Sequence, residues 1–201
     1  DWERKDYGDV NKDGNIDALM MELVTGIGFN PIDNFKGNFD GNGKYINNLY
    51  EKNNESNQQN LGFFSSIGSN AVIQNLFVTG DIYDEIGLSV GGIVGVVKNN
   101  SINITVANNM FSGKITGQNV VGGIIGYVMY SNVSINQCEN RADSISKNYI
   151  AGIVGQAHNS TLKVMNSLNS GNIKLLATDY TYVSAGGILG GIDSTNIEEQ
   201  Y

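Results

Sequence analysis

Proline, cysteine and histidine are almost missing from this chain: Pro31, Cys138 and His158 are the only ones in 201 residues. Each scarcity excludes something. Proline is poorly tolerated inside a strand ladder, so its near absence is compatible with stacked strands. One cysteine allows neither an intrachain disulfide nor a multi-cysteine metal site. Cys138 lies twelve residues past Gly126, as Ser167 lies twelve past Gly155, which assigns it a small-residue slot rather than a reactive thiol. One histidine leaves no His-Glu-x-x-His zinc centre, and any Ser/His/Asp or Cys/His arrangement would have to use His158. That residue stands in Gln156-Ala157-His158-Asn159-Ser160, which reads as an exposed turn.

Basic clusters are missing too. The 12 Lys and Arg are scattered among 20 Asp and Glu, for a net charge of −8. Binding through counterion release needs such a cluster, so nucleic acid and anionic membrane surfaces are not expected partners. No apolar run approaches the roughly 20 residues of a membrane span, so no membrane insertion is expected. No glycine-rich segment leads into the helix and lysine of a phosphate-cradling loop. No secretory leader is visible and residue 1 is Asp, which reads as a mature or excised fragment.

What the chain does have is glycine, 26 of them, and asparagine at roughly one residue in seven. Both tolerate the left-handed corners that tight coils need. The glycines recur. Gly91-Gly92-Ile93-Val94-Gly95 returns as Gly122-Gly123-Ile124-Ile125-Gly126, Ala151-Gly152-Ile153-Val154-Gly155 and Gly186-Gly187-Ile188-Leu189-Gly190, with Leu61-Gly62-Phe63-Phe64-Ser65 as a weaker first copy. The steps are 30, 31, 29 and 35 residues. A fixed period of that size marks a solenoid or array.

The register extends past the pentapeptides. Ile102, Val133 and Leu162 each fall seven residues beyond the closing glycine, and Ile104, Ile135 and Val164 two residues later. Alternation with period two marks a half-buried strand. Glycine-containing turns follow at Ser112-Gly113 and Ser170-Gly171, and Ile82, Ile115, Ile145 and Ile173 close the units. Three short strands per repeat make one coil of a β-helix. No segment carries a 3.6-residue apolar stripe, and β-branched residues and glycine stand where a helical repeat would place Leu, Ala and Glu.

Ile93, Ile124, Ile153 and Ile188 are expected to stack as an interior column, with Phe63 at its start. The neighbouring positions, Phe64, Val94, Ile125, Val154 and Leu189, are apolar as well. Adjacent residues of a flat strand face opposite ways, so both columns cannot be interior without a bend. Either the closing glycine bends the chain and turns both inward, or the second column is an exposed stripe that a partner covers.

The pentapeptides, with Phe35-Lys36-Gly37-Asn38-Phe39-Asp40-Gly41-Asn42-Gly43 leading into Ile46-Asn47-Asn48-Leu49, resemble the GLUG-repeat family over about residues 27–195. Such repeats occur in large bacterial surface and secreted proteins, including non-catalytic regions of immunoglobulin A-cleaving metallopeptidases. The resemblance implies an all-β, right-handed parallel β-helix (β-solenoid), and an extracellular or bacterial cell-surface location.

Before the repeats stands Asp9-Val10-Asn11-Lys12-Asp13-Gly14-Asn15-Ile16-Asp17, the first nine positions of a calcium loop. Oxygens of Asp9, Asn11 and Asp13, the Asn15 carbonyl and Asp17 can converge on one hard cation, with Gly14 for the sharp turn. Gly8 to Leu19 resembles one half of a type I dockerin, a cellulosome docking module. It departs from that pattern at the twelfth position, where Met20 replaces the acidic ligand, and no second loop is present. The site is therefore expected to hold Ca²⁺ weakly; the other reading is a polar turn. Residues 18–25 favour a helix ended by Gly26, the alternative being a first cap strand.

The expected organisation is a calcium loop and short helix over 1–26, a solenoid cap over 27–60, and coils over 61–201 with the last incomplete. Phe35, Phe39, Tyr45, Ile46 and Leu49 are expected to cover the first coil. The stretch 51–60 reads as a polar surface loop, and Leu175 to Tyr182 as a bulge. Among the acids, Asp81, Asp84 and Glu85 cluster in sequence and read as a solvated turn. The functional expectation is a non-catalytic structural or adhesive module whose partner is another domain of its parent protein or a host or cell-surface ligand. The alternatives are a carbohydrate-active β-helix enzyme, which a three-acid cluster on one face would favour, and a docking module acting through the dockerin-like loop.

Overall fold

The computed structural model describes residues 28–53, 60–177 and 182–198. The calcium-loop positions, the helix expected over 18–25 and the first domain as a whole lie outside the described residues. Within them the secondary structure is strand alone: twenty strands in three sheets, and every strand pairing is parallel. The five-stranded sheet stacks Phe64–Ile67, Val94–Val97, Ile125–Met129, Val154–His158 and Leu189–Asp193, one strand per coil. A four-stranded sheet stacks Ser89–Gly91, Val120–Gly122, Tyr149–Ala151 and Ser184–Gly186. The remaining strands, with Val72–Asp84 pairing Asn38–Asn53 at the N-terminal end, form the third. The architecture is the expected β-solenoid.

The bend that resolves the two apolar columns lies earlier than expected. Gly91 ends one strand and Val94 begins the next, so the chain turns at Gly92-Ile93, not at Gly95. The N–H groups of Ile93 and Val94 both donate to the Ile124 carbonyl, and those of Ile124 and Ile125 both donate to that of Ile153. Two successive donors converging on one acceptor is how the corner keeps its ladder. Both columns are thereby interior: Ile93, Val94, Ile124, Ile125, Ile153 and Val154 are all buried. The exposed-stripe alternative does not hold. The closing glycines sit inside strands for a different reason: a Cβ on Gly126 would fall 2.5 Å from the Gly95 oxygen of the preceding coil.

Asparagine supplies the remaining corners. Among the described residues it holds ten of the thirteen non-glycine positions with positive φ, because its short polar side chain makes the left-handed region less costly. One corner column runs Asn75, Asn108, Gln137 and Asn166; another runs Asn100, Tyr130, Asn159 and Ser194. Side chains stack with the backbone, as in Asn108 Nδ2 donating to Asn75 Oδ1 at 2.7 Å.

Two expected interior positions are shifted. Ile102 is exposed, because the longer turn carrying left-handed Asn100 and Asn103 delays the strand by two residues. Register pairs Ile104, not Ile102, with Val133. Likewise Ser144, not Ile145, stands between Ile115 and Ile173, and Ile145 faces outward between Thr116 and Lys174.

At the N-terminal end Phe29 stacks on Phe63 with centroids 5.3 Å apart, and Phe39 meets Phe63 and Phe64 edge-on. This aromatic cluster closes the core. Tyr45 is not part of it: it is exposed and packs against Phe77 outside. Residues 51–53 are strand rather than surface loop, and Glu51 is buried because register places it over interior Ile82. At the far end Leu175 is still in the stack, paired with Ser146; Leu176 and Tyr182 are exposed, and the middle of the expected bulge lies outside the described residues.

Candidate binding groove

Positions of the five-stranded and four-stranded sheets border a groove of about 790 Å³. One wall is the column Val96, Tyr127 and Gln156, continued by Gly191. The other wall carries Val120 and Tyr149, paired across adjacent coils. The Tyr149 ring reaches across: a Cβ on Gly191 would lie 2.5 Å from its Cδ1, so the missing side chain there makes its room.

Amides line the rim. Asn119 Nδ2 donates to the Gly87 carbonyl at 2.7 Å, and Asn148 Nδ2 to Asn119 Oδ1 at 3.1 Å. Among the described residues, Tyr127, Tyr149 and Gln156 have no hydrogen-bond partner for their side chains, so those groups are open to a ligand. Burial raises the Tyr127 phenol above its ordinary value, with Tyr130, Asp193 and Tyr149 adding to the shift, so it is a neutral donor and acceptor at physiological pH. Among the described residues the one charged lining residue, Lys98, lies 3.9 Å from Asp33.

His158 is not a turn residue as expected. It ends the strand Val154–His158 and is 27% exposed at its side chain. Its Nδ1 lies 2.8 Å from Asp193 Oδ2, its Nε2 3.1 Å from the Tyr130 hydroxyl and 2.8 Å from Asn159 Nδ2. An Nδ1–H tautomer donates to Asp193, and the single Nε2 lone pair is shared by the Tyr130 hydroxyl and the Asn159 amide. The arrangement ties three successive coils together at their surface.

Asp81 and Asp143 stand in one column on either side of Lys114, and among the described residues no group of three His, Cys, Asp or Glu side chains could hold a metal. Asp81 and Glu85 are exposed, whereas Asp84, expected in solvent, is buried. Its Oδ1 accepts from Gly87 N–H at 2.7 Å and Asn53 Nδ2 at 3.0 Å, and burial raises its carboxyl above the ordinary range. Asp143 is exposed and accepts from Asn172 Nδ2 at 2.8 Å. Cys138 occupies the slot anticipated for it, between Asn109 and Ser167, with its N–H donating to Ser167 Oγ at 3.2 Å. Burial pushes its thiol up to about 11. Asp9, Asn11, Asp13, Asn15 and Asp17 lie outside the described residues, and none of the groove residues was singled out in the sequence. The available signal was the residue after each closing glycine: Val96, Tyr127, Gln156 and Gly191 differ in chemistry where the flanking positions repeat.

No protein-family model matches the chain. It is 35% identical over 103 residues to halomucin of Haloquadratum walsbyi (strain DSM 16790 / HBSQ001), covering 49% of this chain and 1% of that protein. No solved structure matches.

Proposed function

We propose that this chain is a non-catalytic, extracellular β-solenoid module with a structural and adhesive role in a bacterial surface or secreted protein. The observation that carries the reading is the groove: a concave face, held on a stacked parallel scaffold, whose tyrosine and glutamine side chains make no hydrogen bond to the described protein. Functional side chains displayed on a rigid frame are the usual arrangement of a binding module. The resemblance to GLUG-repeat surface proteins supports the location, and the partial likeness to halomucin is in keeping with it. An antibody against the solenoid should label intact cells or the culture supernatant of the source organism. Labelling that needs permeabilised cells would overturn the reading.

The same proposal extends to Asp9, Asn11, Asp13, the Asn15 carbonyl and Asp17 as a weak Ca²⁺ site, on the strength of their spacing alone. Affinity nearer millimolar than micromolar in order of magnitude is expected, because Met20 removes the bidentate ligand. Calorimetry on the wild type and Asp13→Ala tests it; two titrations without heat would remove the site.

A further inference from the structure

We propose that the groove between the Val96–Tyr127–Gln156 and Val120–Tyr149 walls binds an uncharged oligosaccharide. The inference rests on the adhesive reading above and names its ligand class. Three features of the groove carry it: aromatic surface, unspent side-chain amide and hydroxyl groups, and, among the described residues, the lack of a free charge.

A pyranose ring is amphipathic. One face presents C–H groups, and its edge presents hydroxyls that each donate and accept. Tyr127 and Tyr149 offer the matching surface, an apolar ring with a polar end. Gln156 offers two donors and an acceptor in one group, which is what a hydroxyl needs on both sides. None of these three side chains is committed to another hydrogen bond among the described residues. Val96 and Val120 add apolar surface to the two walls.

The geometry suits a chain ligand rather than a single ring. Tyr127 and Gln156 occupy the same position on successive coils, and Val96 precedes them in the same column. Stacked strands are about 4.8 Å apart, so the three span roughly 10 Å along the axis. The groove runs with the solenoid axis, and its polar groups are spaced along it.

Charge and backbone argue against other occupants. Among the described residues Lys98 is the one charged group in the lining and already faces Asp33, so an acidic polymer gains no attraction there. A peptide that adds a strand needs an unpaired sheet edge. The groove walls are sheet faces whose backbone is engaged between coils.

Native affinity electrophoresis of the full chain through gels containing linear β-1,4-glucan, β-1,3-glucan or galactomannan tests the proposal, with polygalacturonate as the acidic comparison. Retardation by at least one neutral polymer is expected, with none by polygalacturonate. Tyr149→Ala and Gln156→Ala should each weaken the retardation about tenfold or more while leaving the melting temperature close to wild type. Gln156→Ala keeps the test valid should Tyr149→Ala disturb packing, since Gln156 makes no side-chain hydrogen bond among the described residues that its loss would break. Passage of the wild type through every neutral gel overturns the proposal, as does retardation that both variants retain, or retardation by polygalacturonate alone. These outcomes would leave surface labelling of the solenoid unchanged, so failure of the ligand class is distinct from failure of the adhesive reading.

Discussion

The backbone N–H of Gly62 donates to Glu51 Oε2 at 3.0 Å, and this bond, across 11 residues, holds a carboxyl inside the N-terminal coil. The other oxygen, Oε1, is buried without a partner. One hydrogen bond does not replace the hydration of a carboxylate, so burial pushes the group up to about 8 from the ordinary 4.5.

A pH dependence follows from that shift. Between about pH 4.5 and pH 8 the folded chain keeps a proton on Glu51 that the unfolded chain has lost. The stabilisation is fully present below 4.5 and declines as pH rises to 8, by at most about 1.4 kcal/mol per pH unit. Asp84, also raised, acts in the same direction. The carboxyls of Asp33 and Glu139 are lowered by side-chain hydrogen bonds, to Ser66 and to Arg141 respectively, and lose stability only at more acid pH. Urea unfolding at pH 5, 6.5 and 8 should show stability falling across the series, and Glu51→Gln should reduce the slope. Parallel slopes in the two proteins would show that Glu51 does not titrate in this range.

Ser144 gives a second test. Its hydroxyl is buried without a partner, in the column between Ile115 and Ile173. An orphan hydroxyl costs about 1–3 kcal/mol of desolvation. Ser144→Ala removes it without adding volume, and should stabilise the chain by about 1 kcal/mol in chemical denaturation. A loss of stability would mean that the hydroxyl has a partner, such as a bound water.

Ser144 also marks where the sequence stopped being legible. Repeat spacing announces the coil, its parallel stacking and most of the core, because Ile93, Ile124 and Ile153 recur in phase with glycine. It does not announce where a turn lengthens. Left-handed Asn100 and Asn103 absorb two residues, and Ile102 leaves the column as a result. Nothing in the residue types distinguishes Ile145 from an interior isoleucine; only pairing with Thr116 and Lys174 turns it outward. The groove was hidden for a related reason. Its residues come from positions where the repeat does not repeat, so periodicity carries no signal for them.

Glycine spacing reflects contact between coils, and this too can be tested. A Cβ on Gly123 would lie 2.1 Å from the Gly152 oxygen and 2.2 Å from Asn140 Cγ. Gly187, the same position two coils on, has nothing within 4 Å. Gly123→Ala should therefore cost about 3 kcal/mol or more by overpacking, whereas Gly187→Ala should stay within about 0.5 kcal/mol. Equal costs would show that backbone entropy, not the space between coils, selects glycine here.

The last prediction concerns the corners. Asn108 has φ of 51° and donates from Nδ2 to Asn75 Oδ1, one coil earlier, at 2.7 Å. Two effects therefore favour asparagine: lower strain in the left-handed region, and a bond between coils. Two substitutions separate them. Asn108→Gly removes the bond and relieves the strain, while Asn108→Ala removes the bond and keeps a Cβ. The left-handed penalty is about 1–2 kcal/mol for an ordinary residue, and an exposed neutral hydrogen bond is worth about 1 kcal/mol or less. Asn108→Ala should thus be the more destabilising by about 1 kcal/mol in urea unfolding. If the two variants instead lose equal stability, the amide ladder holds the corner and its left-handed backbone costs little. The abundance of asparagine would then reflect bonding along the stack rather than tolerance of the turn.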